Sequence, residues 1–160
     1  MPKKDSIWGV GPQIAISTLI YLVLMLYIDK IIHNLTIISE EFSILHFLSG
    51  ILIITGFVIW FIAVRTIFTM YKLDYLYRDG FYAFCRHPLY ADFIVILVPG
   101  FCLLSNSWLV LTTPFFMYLA FRYFIKKEEQ HLIEQFGEAY IQYKQEVNAI
   151  IPKIHLNIRG

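Results

Sequence analysis

The chain has 160 residues, 58% of them hydrophobic and 16% charged, with a formal net charge of +1 and a mean hydropathy of +0.62. A soluble domain is nearer half apolar and a quarter charged, so the composition excludes that class and indicates an integral membrane protein, with residues 1–160 forming one domain. The charge argues neither way about nucleic acid, but no dense Lys/Arg stripe is present, which argues against a nucleic-acid partner.

Lys3 and Lys4 open the chain. The apolar run behind them lacks a small-residue cleavage site, so no cleavable signal is expected. The first run, Pro12 to Ile28, ends at Asp29-Lys30. It reaches across a ~30 Å hydrocarbon core if Ile31 and Ile32 join it. The second, Phe42 to Val64, is uncharged; Arg65 lies near its exit, and the helix is expected to continue through Met70 and Tyr71. The third and fourth runs, Pro88 to Leu104 and Trp108 to Phe124, form a hairpin. No formal charge occurs from Phe93 to Phe121, and only Ser105-Asn106-Ser107 interrupts that stretch. Both arms are short, so full crossing and a re-entrant hairpin are the two readings. Pro99-Gly100 predicts a kink whose freed carbonyl a neighbouring helix must satisfy. His46 and Ser49 are candidates for a polar helix contact. Cys85 and Cys102 flank the third run; seventeen residues of helix would hold them roughly 25 Å apart, so free thiols are expected.

After the hairpin, Lys126 to Val147 is charged and helical. Leu132, Phe136, Tyr140 and Tyr143 make an apolar stripe that is expected to pack on the end of the bundle. Gly137 predicts a break between two short helices, and Pro152 ends the pattern. Basic segments (Lys3 and Lys4; Arg65, Lys72, Arg78 and Arg86; Arg122, Lys126 and Lys127) alternate with non-basic ones, the loop from Asp29 to Glu41 and the hairpin tip. Charge bias then predicts an all-α polytopic bundle of about four transmembrane helices, with both termini cytoplasmic. A cytosolic helical segment follows the last span.

An out-and-back hairpin returns Arg86-His87-Pro88-Leu89-Tyr90 and Glu128-Glu129 to one membrane face. Taken singly, each cluster reads as interfacial charge: Arg-His snorkelling before a helix-starting proline, and carboxylates solvated beside Lys126-Lys127. Brought together, they form an inventory suited to a zwitterionic ligand with a sugar. Arg86 offers a planar cationic fork, His87 can donate or accept, Tyr82 and Tyr90 offer ring faces and hydroxyls, and the glutamates accept from hydroxyl or ammonium groups. Glu128 and His131 make a single E-x-x-H spacing without a second copy. His33, His46 and His155 are scattered, so no metal is expected. Asp92 is expected to pair with Arg86 or Arg122, with a substrate contact as the alternative.

The segment Gly80-Phe81-Tyr82-Ala83-Phe84-Cys85-Arg86-His87-Pro88-Leu89-Tyr90 resembles the G-x-Y-x-x-x-R-H-P-x-Y signature of the isoprenylcysteine carboxyl methyltransferase family. Glu128-Glu129-Gln130-His131-Leu132, Phe136-Gly137-Glu138-Ala139-Tyr140-Ile141-Gln142-Tyr143 and Ile151-Pro152 resemble its tail. Phospholipid methyltransferases share much of this pattern, and the similarity runs over about 74–152. The resemblance implies S-adenosylmethionine as methyl donor, bound at the cytosolic helix ends and covered by the C-terminal segment. It also implies a lipophilic substrate reaching the site sideways from the bilayer. Donor contacts carried over are Leu76, Tyr77, Tyr82, His87, Pro88, Leu89, Tyr90 and Glu128; Glu129, His131 and Arg86 are the catalytic candidates. Family members often carry an arginine four residues before the first glutamate. Phe124 stands there, which leaves Arg122 and Lys126 as nearby cations for a substrate. O-methylation of a prenylcysteine-like carboxylate is the leading expectation. N-methylation of an aminophospholipid, with Glu129 or His131 taking the proton, is the alternative. A non-catalytic cofactor-binding module is a further one. Some membrane sterol reductases share the architecture, but adjacent carboxylates disfavour a phosphorylated dinucleotide.

Overall fold

The computed structural model describes residues 9–39, 42–73 and 76–152. Lys3, Lys4, Glu40, Glu41 and His155, used in the charge and metal readings, lie outside them. Helix α1 runs Gly11–Thr36 and α2 Phe42–Leu73; the signature region holds α3 (Phe81–Phe84) and α4 (Pro88–Asp92). The first hairpin arm continues through a π-helical turn, Phe93–Leu97, into α5 (Val98–Leu103). After the tip come one 3-10 turn, Val110–Thr112, then α6 (Thr113–Phe136) and α7 (Glu138–Glu146). The all-helical membrane-type bundle expected from hydropathy is what forms.

Two helices, Gly11–Thr36 and Ile44–Thr69, are long and apolar enough to cross a bilayer, and only 22% and 17% of their most apolar windows are buried within the chain. Ile16, Leu19, Ile20 and Val23 of α1 face outward, as do Phe47, Ile51, Ile54 and Phe61 of α2. A soluble monomer rarely exposes so continuous an apolar surface, whereas lipid would cover it.

Helix α1 runs antiparallel to the second arm of the hairpin. Near mid-depth Tyr21 stacks on Phe116 with centroids 4.2 Å apart, and its hydroxyl lies 2.9 Å from that of Thr112. At one end the hairpin tip meets the end of α1. Trp108 N–H donates to the Thr36 carbonyl at 3.0 Å and Ile38 N–H to that of Asn106 at 3.1 Å. The Asn106 amide also bonds both backbone groups of Ser39. The tip therefore reaches as deep as the 26-residue α1, whose length is ~39 Å. That depth supports full crossing over the re-entrant path. At the opposite end Val10, Ile14, Ile94, Phe121, Ile125 and Ile150 form a buried cluster beneath the signature.

Helix α1 carries Asp29 and Lys30 within it and has a break at Ile32 (φ −120°, ψ 23°). Asp29 is buried, accepting from the Thr36 hydroxyl and lying 3.1 Å from His33 Nδ1, so one more helical stretch supplies its partners. Pro99 sits at the start of α5, directly after the π-helical turn Phe93–Leu97, where its missing N–H is accommodated. Ser49 does make the polar helix contact, donating to the Gly100 carbonyl at 2.8 Å. Asp92 does not pair as expected. Neither of its carboxylate oxygens has a partner among the described residues, because Arg86 is engaged by Glu129 and the tail and Arg122 by Tyr118.

Candidate active site

The signature is held by an extended link between two short helices. Cys85 is extended, with φ −146°. Pro88 occupies the start of α4, where its fixed φ suits the helix and its missing N–H costs nothing. Two backbone N–H groups of the link, those of Arg86 and His87, donate to the carbonyls of Asn148 at 2.9 Å and Ala149 at 3.0 Å. The tail beyond α7 thus lies across the signature. Tyr143 reinforces it, its hydroxyl donating to the Tyr82 carbonyl at 2.6 Å, and Tyr140 and Tyr143 are both buried. This is the packing that the Leu132–Tyr143 stripe predicted, and the break falls at Gly137, whose φ is +56°; the helix before it is not short, because the hairpin arm runs on without interruption as the 24-residue α6.

Arg86 joins three elements. Its Nη1 donates to the carbonyls of Lys144, at 3.1 Å, and Val147. Its Nη2 donates to Glu129 Oε1. Lys144 Nζ reaches Glu129 Oε2 at 2.7 Å, and His87 Nε2 lies 3.4 Å from Oε1. Burial by itself would raise the Glu129 carboxyl, but hydrogen bonds from His87, Lys144 and Arg86, with the Arg86 charge, outweigh it and hold it well below the usual carboxylate range. A carboxylate so held only accepts, so His87 Nε2 carries hydrogen.

Glu128 sits one residue away and in different surroundings. About 100° round α6 from Glu129, it faces α1 and α4 rather than the tail. Its Oε2 accepts from the Val10 N–H at 3.0 Å and the Tyr90 hydroxyl at 3.1 Å. Its Oε1 is 3.7 Å from His87 Nδ1, and the side chain is 22% exposed. The aromatic wall beside it is Phe121, whose ring centroid lies 5.4 Å from that of Tyr90 and 5.8 Å from that of His87.

Tyr77 and Tyr82 stand edge to face, 5.8 Å apart. With Ile62, Ala63 and Thr66 of α2 and Phe84 they line a cavity of about 340 Å³. Burial above all pushes the Tyr82 hydroxyl upward, so it remains a donor.

The fold therefore brings together Arg86, His87, Tyr90, Glu128 and Glu129, with Tyr77 and Tyr82 beside them. Pro88 is buried and Leu89 half-buried on α4, and Leu76 is half-buried just ahead of Tyr77. His131 lies about 200° round α6 from Glu129 and so on the far face. Arg122 is exposed, bonded to the Tyr118 hydroxyl at 3.3 Å; Lys126 is also exposed. Sequence reasoning did not place Lys144 or Val10 in the site. Lys144 sits one helical turn after the buried Tyr140, a spacing that could have identified it; a backbone amide at Val10 carries no sequence signal.

Fold and site together define a helical membrane bundle with an acid, imidazole and aromatic cluster at one end. Residues 61–134 match the isoprenylcysteine carboxyl methyltransferase (ICMT) family, which bears out the resemblance carried by the signature. The matched stretch begins inside α2 and takes in the signature and both glutamates. Among curated relatives, a protein-S-isoprenylcysteine O-methyltransferase of Schizosaccharomyces pombe is 35% identical over 79 residues, 49% of this chain and 34% of its own. One of Dictyostelium discoideum is 34% identical over 80 residues, 50% and 34%. A methanethiol S-methyltransferase 1 of Bradyrhizobium diazoefficiens is 36% identical over 72 residues, 44% and 24%. The match spans about a third of the length of the first two. What these relatives share by name is methyl transfer; the acceptors differ.

Proposed function

We propose that this chain transfers a methyl group from S-adenosylmethionine to an already ionised carboxylate on a lipophilic, prenylcysteine-like substrate. The observation that carries the choice of acceptor is Glu129. Its two oxygens are taken up by Arg86, Lys144 and His87, and its carboxyl is held far below neutrality, so it is a poor proton acceptor. An aminophospholipid must shed a proton to be methylated. A carboxylate need not, and catalysis then reduces to positioning and exclusion of water. His131, the other base considered, is on the opposite face of α6.

The residues fit the donor. A partly exposed carboxylate at Glu128 suits ribose hydroxyls or an ammonium group, and the ring of Tyr90 beside it suits a sulfonium as it suits other cations. Bound there, S-adenosylmethionine would supply a cationic, electrophilic methyl group that a carboxylate oxygen takes without prior deprotonation as the S–CH3 bond breaks and S-adenosylhomocysteine leaves. Glu128 and Tyr90 orient the donor. Arg86 holds the tail over the site and keeps water out. The apolar cavity against α2 opens beside Tyr82 and suits a lipid chain arriving from the bilayer. Cytosolic placement belongs to the same reading: Arg65, Arg78, Arg86, Arg122, Lys126 and Lys127 all belong to the site end of the bundle, against Lys30 near the other among the described residues.

The test uses the purified full chain in lipid nanodiscs with methyl-labelled donor. It is offered either a prenylcysteine or phosphatidylethanolamine. Base-labile label in the prenylcysteine is the expected result. Label in the amine overturns the acceptor assignment, and label in neither overturns the activity.

A further inference from the structure

The amino end of α1 is built against Glu128, a contact that hydropathy does not require. We propose that Gly9 and the Val10 amide are positioning residues of the donor site: they set the Glu128 carboxylate in the orientation that receives the donor. The inference rests on the reading of Glu128 as a donor contact.

Four observations converge on it. Val10 N–H donates to Glu128 Oε2 at 3.0 Å across 118 positions of sequence, and the same oxygen accepts from Tyr90 at 3.1 Å. Two donors on one oxygen fix rotation about the last side-chain bond and turn Oε1 toward His87, 3.7 Å from Nδ1. Gly9 has φ +49°, and a Cβ built on it would stand 2.2 Å from Oε2 and 2.9 Å from the Glu128 carboxyl carbon. Only a residue without a side chain lets the backbone come this close. Val10 and Ile14 are 5% and 1% exposed within the core cluster, so the first turn of α1 is anchored and cannot drift away from the carboxylate. The N–H groups that open a 26-residue helix also favour a negative charge there.

The nature of the collision makes the consequence specific. What a Gly9 side chain would strike is the far end of a flexible side chain, not backbone. The fold can relieve the clash by swinging the carboxylate away. The loss should therefore appear in donor affinity rather than in folding.

The experiment measures binding of S-adenosylhomocysteine, the demethylated donor, by calorimetry on the full chain in nanodiscs. The variants are Gly9→Ala, Gly9→Asn and Glu128→Ala, with Gly9→Ala/Glu128→Ala as the double. Asparagine tolerates positive φ far better than alanine yet carries the same Cβ. Both Gly9 variants are expected to weaken binding ~tenfold or more, the scale of a hydrogen bond to a charged group. In the Glu128→Ala background, Gly9→Ala should add nothing. Parental affinity in both Gly9 variants, with Glu128→Ala impaired, overturns the positioning role and leaves the donor site standing. So does a Gly9→Ala loss of equal size in both backgrounds, which would mean it acts through the fold. A loss in Gly9→Ala alone, with Gly9→Asn at parental affinity, reports backbone strain and overturns the role as well. Parental affinity in Glu128→Ala overturns the donor-site reading and this inference with it.

Discussion

Replacing Arg86 by methionine should unlatch the tail from the signature. The guanidinium holds three acceptors at once: the carbonyls of Lys144 and Val147 and the carboxylate of Glu129. Both charged side chains are 8% exposed. Removing one partner of a buried pair costs ~3–5 kcal/mol, because the other is left uncompensated. Here Lys144 and His87 remain beside Glu129, which favours the lower end. At about 1.4 kcal/mol per decade, the open state of the tail becomes roughly a hundredfold more populated. Hydrogen exchange reads this at three amides: residue 86 bonded to Asn148, His87 to Ala149, and Val147 to Tyr143. Lys144→Ala is the control. Its side chain is 43% exposed, and a solvated pair contributes ~0.2–1 kcal/mol, less than a tenfold change. Exchange within about threefold of the parent in the Arg86→Met chain, or an equal effect from Lys144→Ala, would refute the latch. The tail would then be held by the packing of Tyr140, Tyr143 and Ile150.

Acid should loosen the same contact. The folded Glu129 carboxyl lies below its ordinary value of 4.5, so its stabilisation is complete above that value and is lost as pH falls through the folded one; protection of residues 86, 87 and 147 should decline below about pH 4.5, and decline far less in Glu129→Gln. Burial pushes the Cys85 thiol up to about 11, so maleimide labelling of the folded chain should be slow at neutral pH, rise steeply toward that value, and become rapid on denaturation. Ser49→Ala removes the hydrogen bond to the Gly100 carbonyl and should cost about 0.6 kcal/mol, and at most ~1.7, in unfolding from detergent. Gly100→Val should cost more, about 1–3 kcal/mol, since a Cβ there would stand 3.1 Å from the Leu52 Cβ and 3.3 Å from the Ile53 backbone nitrogen.

Much of the bundle was legible in the chain because hydropathy is a local property. An uncharged stretch from Phe93 to Phe121 broken by three polar residues has one economical path in a bilayer, and that path returns Arg86-His87 and Glu128-Glu129 to one end. Gly137 and the aromatic stripe around it placed the tail for the same reason: periodicity alone says which face is apolar. Asp29 shows the limit. It closes the apolar run in the sequence, and the fold nevertheless buries it, with Thr36 and His33 as partners.

The paired glutamates divide the two kinds of knowledge most sharply. Sequence alone determined that two carboxylates and a cationic, imidazole-bearing motif share one end of a membrane bundle, and the signature marked the family resemblance. Only tertiary structure decided what surrounds each carboxylate. Adjacent residues on a helix point about 100° apart, so what each meets depends on which elements happen to flank the helix there. The tail brings Lys144 and the signature brings Arg86 to Glu129, which becomes a buried anchor. The start of α1 brings a backbone amide to Glu128, which stays partly open. No pattern of side chains encodes an amide 118 positions away, since every residue but proline carries one, and its use is set by packing alone.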